Sequence, residues 1–533
     1  MVQLLSAQTD LGTETINVVR DYDPTLSEVR KFVLFPEIED SATQQPKLSY
    51  SLLKMPYKER FEPASILSAR ISGTKVEEIK RGFAKLGMGN YTTPLAELYF
   101  TNRRSRNQSS GIWLRHMSSA GGINNYAYNG YGMNDIQLWG KRFYDGFTLS
   151  GEFHYDHDRV HYYGFLDPET LKDTIRQDYQ SISAKVGLMS SKGRSKSIFH
   201  NADVAYYHFF DRLETTENYV DFDGGINFKV QEELVTVDLE LDYINTNFGD
   251  STQNYFVTGV SPTIHSTWED LDFEIGASIY VRTDVSAGEN KLYLLPQIKA
   301  SYALVREILI AYGGFTGSYN QNTYRSLTRE NPFVFSEVEL KPTVEKYRFY
   351  LGLKGALSSK ASFNVFGRFS GFDNFALFYT DSTYFLRPDS NKFMVLYDNI
   401  TQFQLGGELL YQSSERFDIG AKAEYNYYGT TLLEYAYHLP NLRMSIFTGY
   451  NISDKLIVNA EAFVVGKRDI LPVNYSDREL APYYNINLGV EYGYSELLSA
   501  FIQFNNLTAK KYDLWYGYAA QRFNVLGGVT YRF

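Results

Sequence analysis

The densest group of side chains able to do chemistry in this sequence is His154, Asp156, His157, Asp158 and His161. Imidazole nitrogens and carboxylate oxygens are the ligand types of a divalent metal. Spacing decides whether they can share one. In a strand, alternate side chains point to opposite faces, so His154 and Asp156 share a face and His157 takes the other. His154, Asp156 and His161 are therefore the candidate metal ligands, provided that the strand gives way to a loop that turns His161 back. A polar rim at the strand's end is the other arrangement these residues fit. Asp21-Tyr22-Asp23-Pro24 and Asp221-Phe222-Asp223-Gly224 hold paired carboxylates. Both lack the further oxygen ligands of a calcium loop. Nor does the chain hold a Gly-x-Ser-x-Gly elbow, a His-Glu-x-x-His pair or a phosphate-cradling Gly-Lys-Ser/Thr loop. Asp, His and Ser are present without a spacing that singles out a catalytic set. The expectation is a protein that is not an enzyme and uses no cofactor.

The elements that must position these residues are strands. Residues 147–155 place Phe147, Leu149, Phe153 and Tyr155 on one face, against Thr148, Ser150, Glu152 and His154. Residues 235–243 set Val235, Val237, Leu239, Leu241 and Tyr243 against Thr236, Asp238, Glu240 and Asp242. The same period of two runs through 271–279, 417–427 and 484–494. It also runs through 523–533, where Phe523, Val525, Val529, Tyr531 and Phe533 share a face and Leu526 intrudes on the polar one. A soluble sandwich could bury such faces against each other. Strand length and connection asymmetry favour a membrane barrel instead. Many runs reach about 10–12 residues, enough to cross a bilayer when tilted. Short connections, such as 229–233, 305–307, 358–361, 453–455 and 495–496, alternate with long ones at 120–131, 158–176, 317–340 and 429–440. One rim of short turns and one of long loops is the layout of bacterial outer-membrane barrels.

Composition agrees. The 533 residues include 45 Tyr and 37 Phe, yet mean hydropathy is only -0.33. No apolar run is long enough for a transmembrane helix. The absence of Cys removes disulfides and thiolate chemistry. A net charge of -10 argues against nucleic acid as a partner. The fold expected is all-β, a transmembrane antiparallel barrel of about 22 strands, an even number as such barrels require. It occupies residues 81–533. Residues 1–7 read as the tail of a signal peptide, ending in Ser6-Ala7. Residues 8–80 carry Pro24, Pro36, Pro46, Pro56 and Pro63 without a sustained period, and read as a periplasmic or lumenal segment. Tyr155, Tyr427, Tyr450 and Tyr494 suit interfacial girdles. Tyr162, Tyr163, Trp515, Tyr516 and Tyr518 suit an upper girdle or a platform for a sugar or a partner.

The closing segment, Phe504-Asn505-Asn506-Leu507-Thr508-Ala509-Lys510-Lys511-Tyr512, then Trp515-Tyr516-Gly517-Tyr518 and the strand to Phe533, resembles the C-terminal part of a TonB-dependent outer-membrane receptor. Leu295-Pro296-Gln297-Ile298-Lys299-Ala300-Ser301-Tyr302 and Glu330-Asn331-Pro332-Phe333 resemble barrels of this kind from Bacteroidota. The resemblance implies a closed 22-stranded barrel over residues 81–533. It also implies a folded plug of more than 100 residues ahead of the barrel, and the segment 8–80 falls short of that. The lumen of so wide a barrel is normally plugged. The N-terminal segment, the long loops or another protein must block it.

Thr13-Glu14-Thr15-Ile16-Asn17-Val18-Val19 is similar to a TonB box, with Glu14, Thr15, Ile16, Asn17, Val18 and Val19 as the candidate contacts. An extended β-branched peptide of this sort binds by adding a strand to an exposed sheet edge. The expected function is transport across, or docking at, the bacterial outer membrane, with both termini periplasmic. The partners expected are outer-membrane lipids, other outer-membrane or periplasmic proteins, surface lipoproteins and TonB. The alternative is a scaffold subunit of an outer-membrane assembly or secretion machine.

Overall fold

Each barrel strand pairs with its neighbours in sequence, and the first pairs with the last. The strand Gly82–Gly89 lies antiparallel to Thr93–Thr101 on one side and to Asn524–Arg532 on the other. This closes a 22-stranded antiparallel sheet into a barrel. Closure removes both sheet edges, so every strand can satisfy its backbone within the wall. The computed structural model describes residues 80–533 apart from 103–104, 191–197, 232, 381–390, 454 and 472–478. Residues 1–7, the segment 8–80 except Lys80, and the TonB-box-like run Glu14–Val19 lie outside the described residues.

The alternation read in the sequence becomes inside and outside. Leu292, Leu294 and Leu351 stand out from the wall, exposed by 69%, 69% and 76%. Phe147, Leu149, Phe153, Ile275, Ile279, Tyr427, Tyr450 and Tyr492 do likewise. An apolar surface running round a whole barrel is not a soluble exterior; it is the lipid-facing band of an outer-membrane barrel. No helix among the described residues is long and apolar enough to cross a membrane, and the crossing is made by strands. Leu526 faces inward after all. It is buried with Leu95 and Phe501, with Met117 packed against them.

Several inward aromatic rings lie flat over an inward glycine of the adjacent strand. A Cβ on Gly111 would meet the Trp139 ring at 2.6 Å, and one on Gly314 would meet Tyr350 at 2.6 Å. Glycine at these places lets the ring cover the wall.

The two rims differ as the sequence foretold. One carries tight turns, such as those joining Glu289–Val305 to Leu309–Asn320 and Thr343–Ser358 to Ala361–Tyr379. The other carries the loops 120–130, 162–175, 321–342, 380–393, 431–441, 466–482 and 506–523. In an outer-membrane barrel the short-turn rim is periplasmic. The longest strands, Ala361–Tyr379 with 19 residues and Met394–Ser414 with 21, exceed what a tilted crossing needs. They carry the wall past the membrane on the long-loop side, and a bulge between Phe372 and Phe375 interrupts their register.

Candidate functional site

The described residues of the long loops fold inward over the mouth. At their centre is the loop 321–342, which carries a short α-helix, Tyr324–Glu330. Thr323 caps the helix. Its hydroxyl accepts from the Ser326 amide, and the Ser326 hydroxyl accepts from the Thr323 amide.

The helix is held against a distant part of the wall by carboxylates. Glu217, fully buried, accepts from the Tyr324 amide at 2.7 Å and the Arg325 amide at 3.1 Å. It also accepts from the Tyr207 hydroxyl and the Thr246 hydroxyl, each at 2.9 Å. Asp211 accepts from the Tyr324 hydroxyl at 2.7 Å, and from Gln177 and Ser336 at 2.9 Å each. Asp156 pairs with Arg325 at 3.3 Å and Arg329 at 3.0 Å. Strap and clamp are more than 100 residues apart in sequence. The strap leaves the wall after Leu309–Asn320, while its partners sit on strands from Phe147–His161 to Thr216–Val230. It therefore spans part of the mouth rather than lying along its own edge.

An aromatic layer completes the closure. Tyr324, Phe393 and Tyr518 have no exposed surface. Phe333 stacks on Tyr518 with ring centres 3.7 Å apart, and Tyr163 meets both rings edge-on. Their polar tips are used: the Tyr162 hydroxyl donates to the Val334 carbonyl, the Tyr163 hydroxyl to the Ala519 carbonyl, and the Tyr179 hydroxyl to the Pro332 carbonyl. The Asn391 amide donates to the Tyr162 carbonyl. Loops from well-separated parts of the ring thus interlock in one layer. This corrects the expectation of a girdle or open platform at Tyr162, Tyr163 and Tyr518. Their rings are packed inside the mouth, because loops that converge bury what an extended loop would expose.

His438 belongs to the same layer. It sits edge-on to Phe393, beside Trp515, in a backbone conformation of φ 61°. Burial, with the adjacent Arg468, drives its pKa down to about 3. Among the described residues its Nδ1 has no hydrogen-bond partner. Arg468 donates to the carbonyls of Asp513 and Leu514, tying the loop 466–482 to the loop 506–523.

The candidate metal ligands do not converge. His154 lies 3.8 Å from Asp156 and 3.6 Å from Asp135, both inward. Asp156 is committed to the two strap arginines. His161 is buried elsewhere: its Nδ1 is 2.6 Å from the Gly130 carbonyl and its ring is edge-on to Tyr128. Among the described residues no group of three His, Asp or Glu is arranged to hold a metal. His157 and Arg159 instead share Asp178 on the next strand, each at 2.9 Å. Asp221 and Asp223 are lumen-facing residues of Thr216–Val230, not a calcium loop. The sequence reading missed Glu217, Asp211 and the helix altogether. The signal available was a Thr N-cap followed by Arg325, Leu327, Arg329 and Glu330, good helix formers, inside a long connection.

No protein-family model matches the sequence, and neither does any curated protein. Solved structures do match by shape. The FrpB iron transporter from Neisseria meningitidis aligns with a TM-score of 0.65 at 9% identity, over 85% of this chain and 81% of its own. The siderophore receptor PirA from Acinetobacter baumannii gives 0.65 at 10% identity, over 86% and 81%. The pyoverdine receptor FpvA from Pseudomonas aeruginosa gives 0.62 at 13% identity, over 86% and 79%. At these identities the likeness is one of fold: the closed 22-strand barrel of TonB-dependent outer-membrane receptors.

Proposed function

We propose that the chain is a receptor-type barrel that acts in transport across or docking at the outer membrane together with partner proteins. The observation that carries this is the strap laid across the mouth and clamped by Glu217, Asp211 and Asp156 above a polar-walled lumen. A lumen wide enough to need closing, and closed by a polar clamp that can be broken, suits a gated path. Fold neighbours described as an iron transporter and as siderophore receptors make iron-bearing small solutes the first class to test. On this reading Glu14–Val19 engages TonB by strand addition, and the Bacteroidota-like motifs mark the lineage.

The alternative is a scaffold subunit of an outer-membrane assembly or secretion machine, with no solute path of its own. Conductance across a planar lipid bilayer separates the two. A gated path predicts little current for the intact chain and a large step when residues 323–340 are replaced by a short Gly-Ser linker. A large step from the intact chain, or none from the variant, would count against it.

A further inference from the structure

On the lipid side of the wall the outward side chains do not form an even surface. Val365, Gly407, Ala423, Met444, Val464 and Tyr484 stand opposite one another along a row that crosses from Ala361–Tyr379 to Tyr483–Gly493. In the next row toward the short-turn rim, Ala421 and Ala462 alternate with Leu409, Ile446 and Ile486. The Gly and Ala positions leave the wall low between larger neighbours. The result is an apolar groove of about 740 Å³. At about 4.8 Å between strands it is roughly 24 Å long. Because the strands tilt, it runs obliquely across the wall. Its low end is near Phe363, just past the short turn, and its high end is at Tyr484, where Tyr483–Gly493 leaves the long-loop rim.

A cation sits at the high end. Lys510 is exposed, and its Nζ lies 3.9 Å from the centre of the Tyr484 ring. Arg522, also exposed, donates through Nε to the carbonyl of Ala509, the residue before Lys510, at 2.7 Å. Neither Lys510 nor Arg522 has a carboxylate partner among the described residues. A tyrosine at the end of a spanning strand marks the level of the lipid headgroups. A lysine whose stem crosses that ring holds its charge at the same level. The anion met there is a lipid phosphate. One leaflet's acyl chain covers about 15 Å, half the hydrocarbon core, so the groove below Tyr484 is long enough for one. A membrane-spanning segment of another protein would fill the groove and leave both cations unanswered.

We propose that Lys510, Arg522 and the groove below them form a site for one phosphorylated lipid of the outer leaflet. The phosphate rests on the two cations and one acyl chain lies along Tyr484, Ile486, Ala462 and Ala423. The rest of the lipid-facing band, without this combination, takes lipids indifferently. The site does not depend on whether the barrel conducts.

The natural absence of Cys makes single-site labelling of the full chain direct. Ile486→Cys, in the groove, and Ile298→Cys, outward at a similar height on Glu289–Val305, would each carry a bimane fluorophore. The labelled barrels are placed in phosphatidylcholine nanodiscs with either dibrominated phosphatidic acid or dibrominated phosphatidylcholine at equal mole fraction, and bromine quenching reads which lipid is adjacent. The Ile486 site should favour the phosphatidic acid by roughly fivefold, the scale of one or two partly screened ion pairs, and the Ile298 site should favour neither. Lys510→Gln with Arg522→Gln should erase the preference. So should Ala423→Phe, which fills the floor of the groove and leaves both cations in place. Heat-modifiable gel mobility checks that each barrel has formed. Equal preference at the two sites, or a preference that survives either change, would overturn the proposal.

Discussion

Replacing Glu217 with Ala should release the strap while leaving the barrel intact. The carboxylate is fully buried and accepts four hydrogen bonds, two from the first turn of the helix and two from wall hydroxyls. A hydrogen bond to a charged group contributes about 1.5–3 kcal/mol, and such terms do not add. Removing one member of a buried network typically costs about 3–5 kcal/mol. The hydroxyls of Tyr207 and Thr246 can rotate toward other acceptors, but the amides of Tyr324 and Arg325 cannot. About 4 kcal/mol is therefore the loss expected, close to three decades in the closed-to-open ratio. Hydrogen exchange at the Tyr324 and Arg325 amides reads that ratio, and trypsin cleavage at Arg325 and Arg329 reads it independently. Glu217→Gln, which keeps an acceptor but turns an NH2 toward donors, should lie between. If protection of the two amides changes by less than about tenfold in a properly assembled Glu217→Ala barrel, the clamp does not hold the strap.

Three further outcomes are expected. Leu239→Arg puts a charge on the lipid face and should hinder assembly by roughly 2–4 kcal/mol, whereas Asp238→Arg on the lumenal side should assemble; heat-modifiable mobility of the two variants checks this. Tyr518→Ala removes a ring with no exposed surface and should loosen the loop 506–523 by about 3–5 kcal/mol, seen as faster limited proteolysis of the loops with the barrel core unchanged. The mouth layer should also weaken in acid. His438 is held neutral with a pKa of about 3, below the ordinary value of 6.5, so the opened state binds the proton more readily. Stability is then full above pH 6.5 and falls between 6.5 and 3, by about 2 kcal/mol at pH 5. Exchange of the loop amides measured from pH 8 to 5, after correction for the intrinsic rate, should show this slope. His438→Asn, which tolerates the left-handed backbone, should flatten it.

The barrel was legible because its physics is local. A lipid face and a lumenal face alternate at every strand, and short turns alternate with long loops, so Leu239 against Asp238 or Phe153 against His154 can be sorted without knowing what lies across the lumen. The mouth was not legible for the opposite reason. Nothing near Glu217 in sequence announces a helix more than 100 residues later, and nothing around Tyr518 announces Phe333. Tyr162 and Tyr163 sit where a girdle residue would sit, and only convergence of the loops distinguishes a buried ring from an interfacial one. For the His154-to-His161 group the residue types left a metal and a polar rim both open, because its partners, Arg325, Arg329, Asp178 and the Gly130 carbonyl, come from elsewhere in the chain.

The seam between Gly82–Gly89 and Asn524–Arg532 has a kinetic meaning. Every other neighbouring pair in the wall can zip from a local connection, but this one joins residues separated by nearly the whole barrel, as in Phe83 opposite Arg532. Contacts of such sequence separation are the slowest to form. The seam strands are also among the shortest in the wall, 8 and 9 residues long. Until they meet, the nascent sheet has two open edges able to pair with any strand that offers itself. The time between the end of synthesis and the meeting of Phe83 with Arg532 is thus the interval in which a chaperone or an insertion catalyst has to guard this protein.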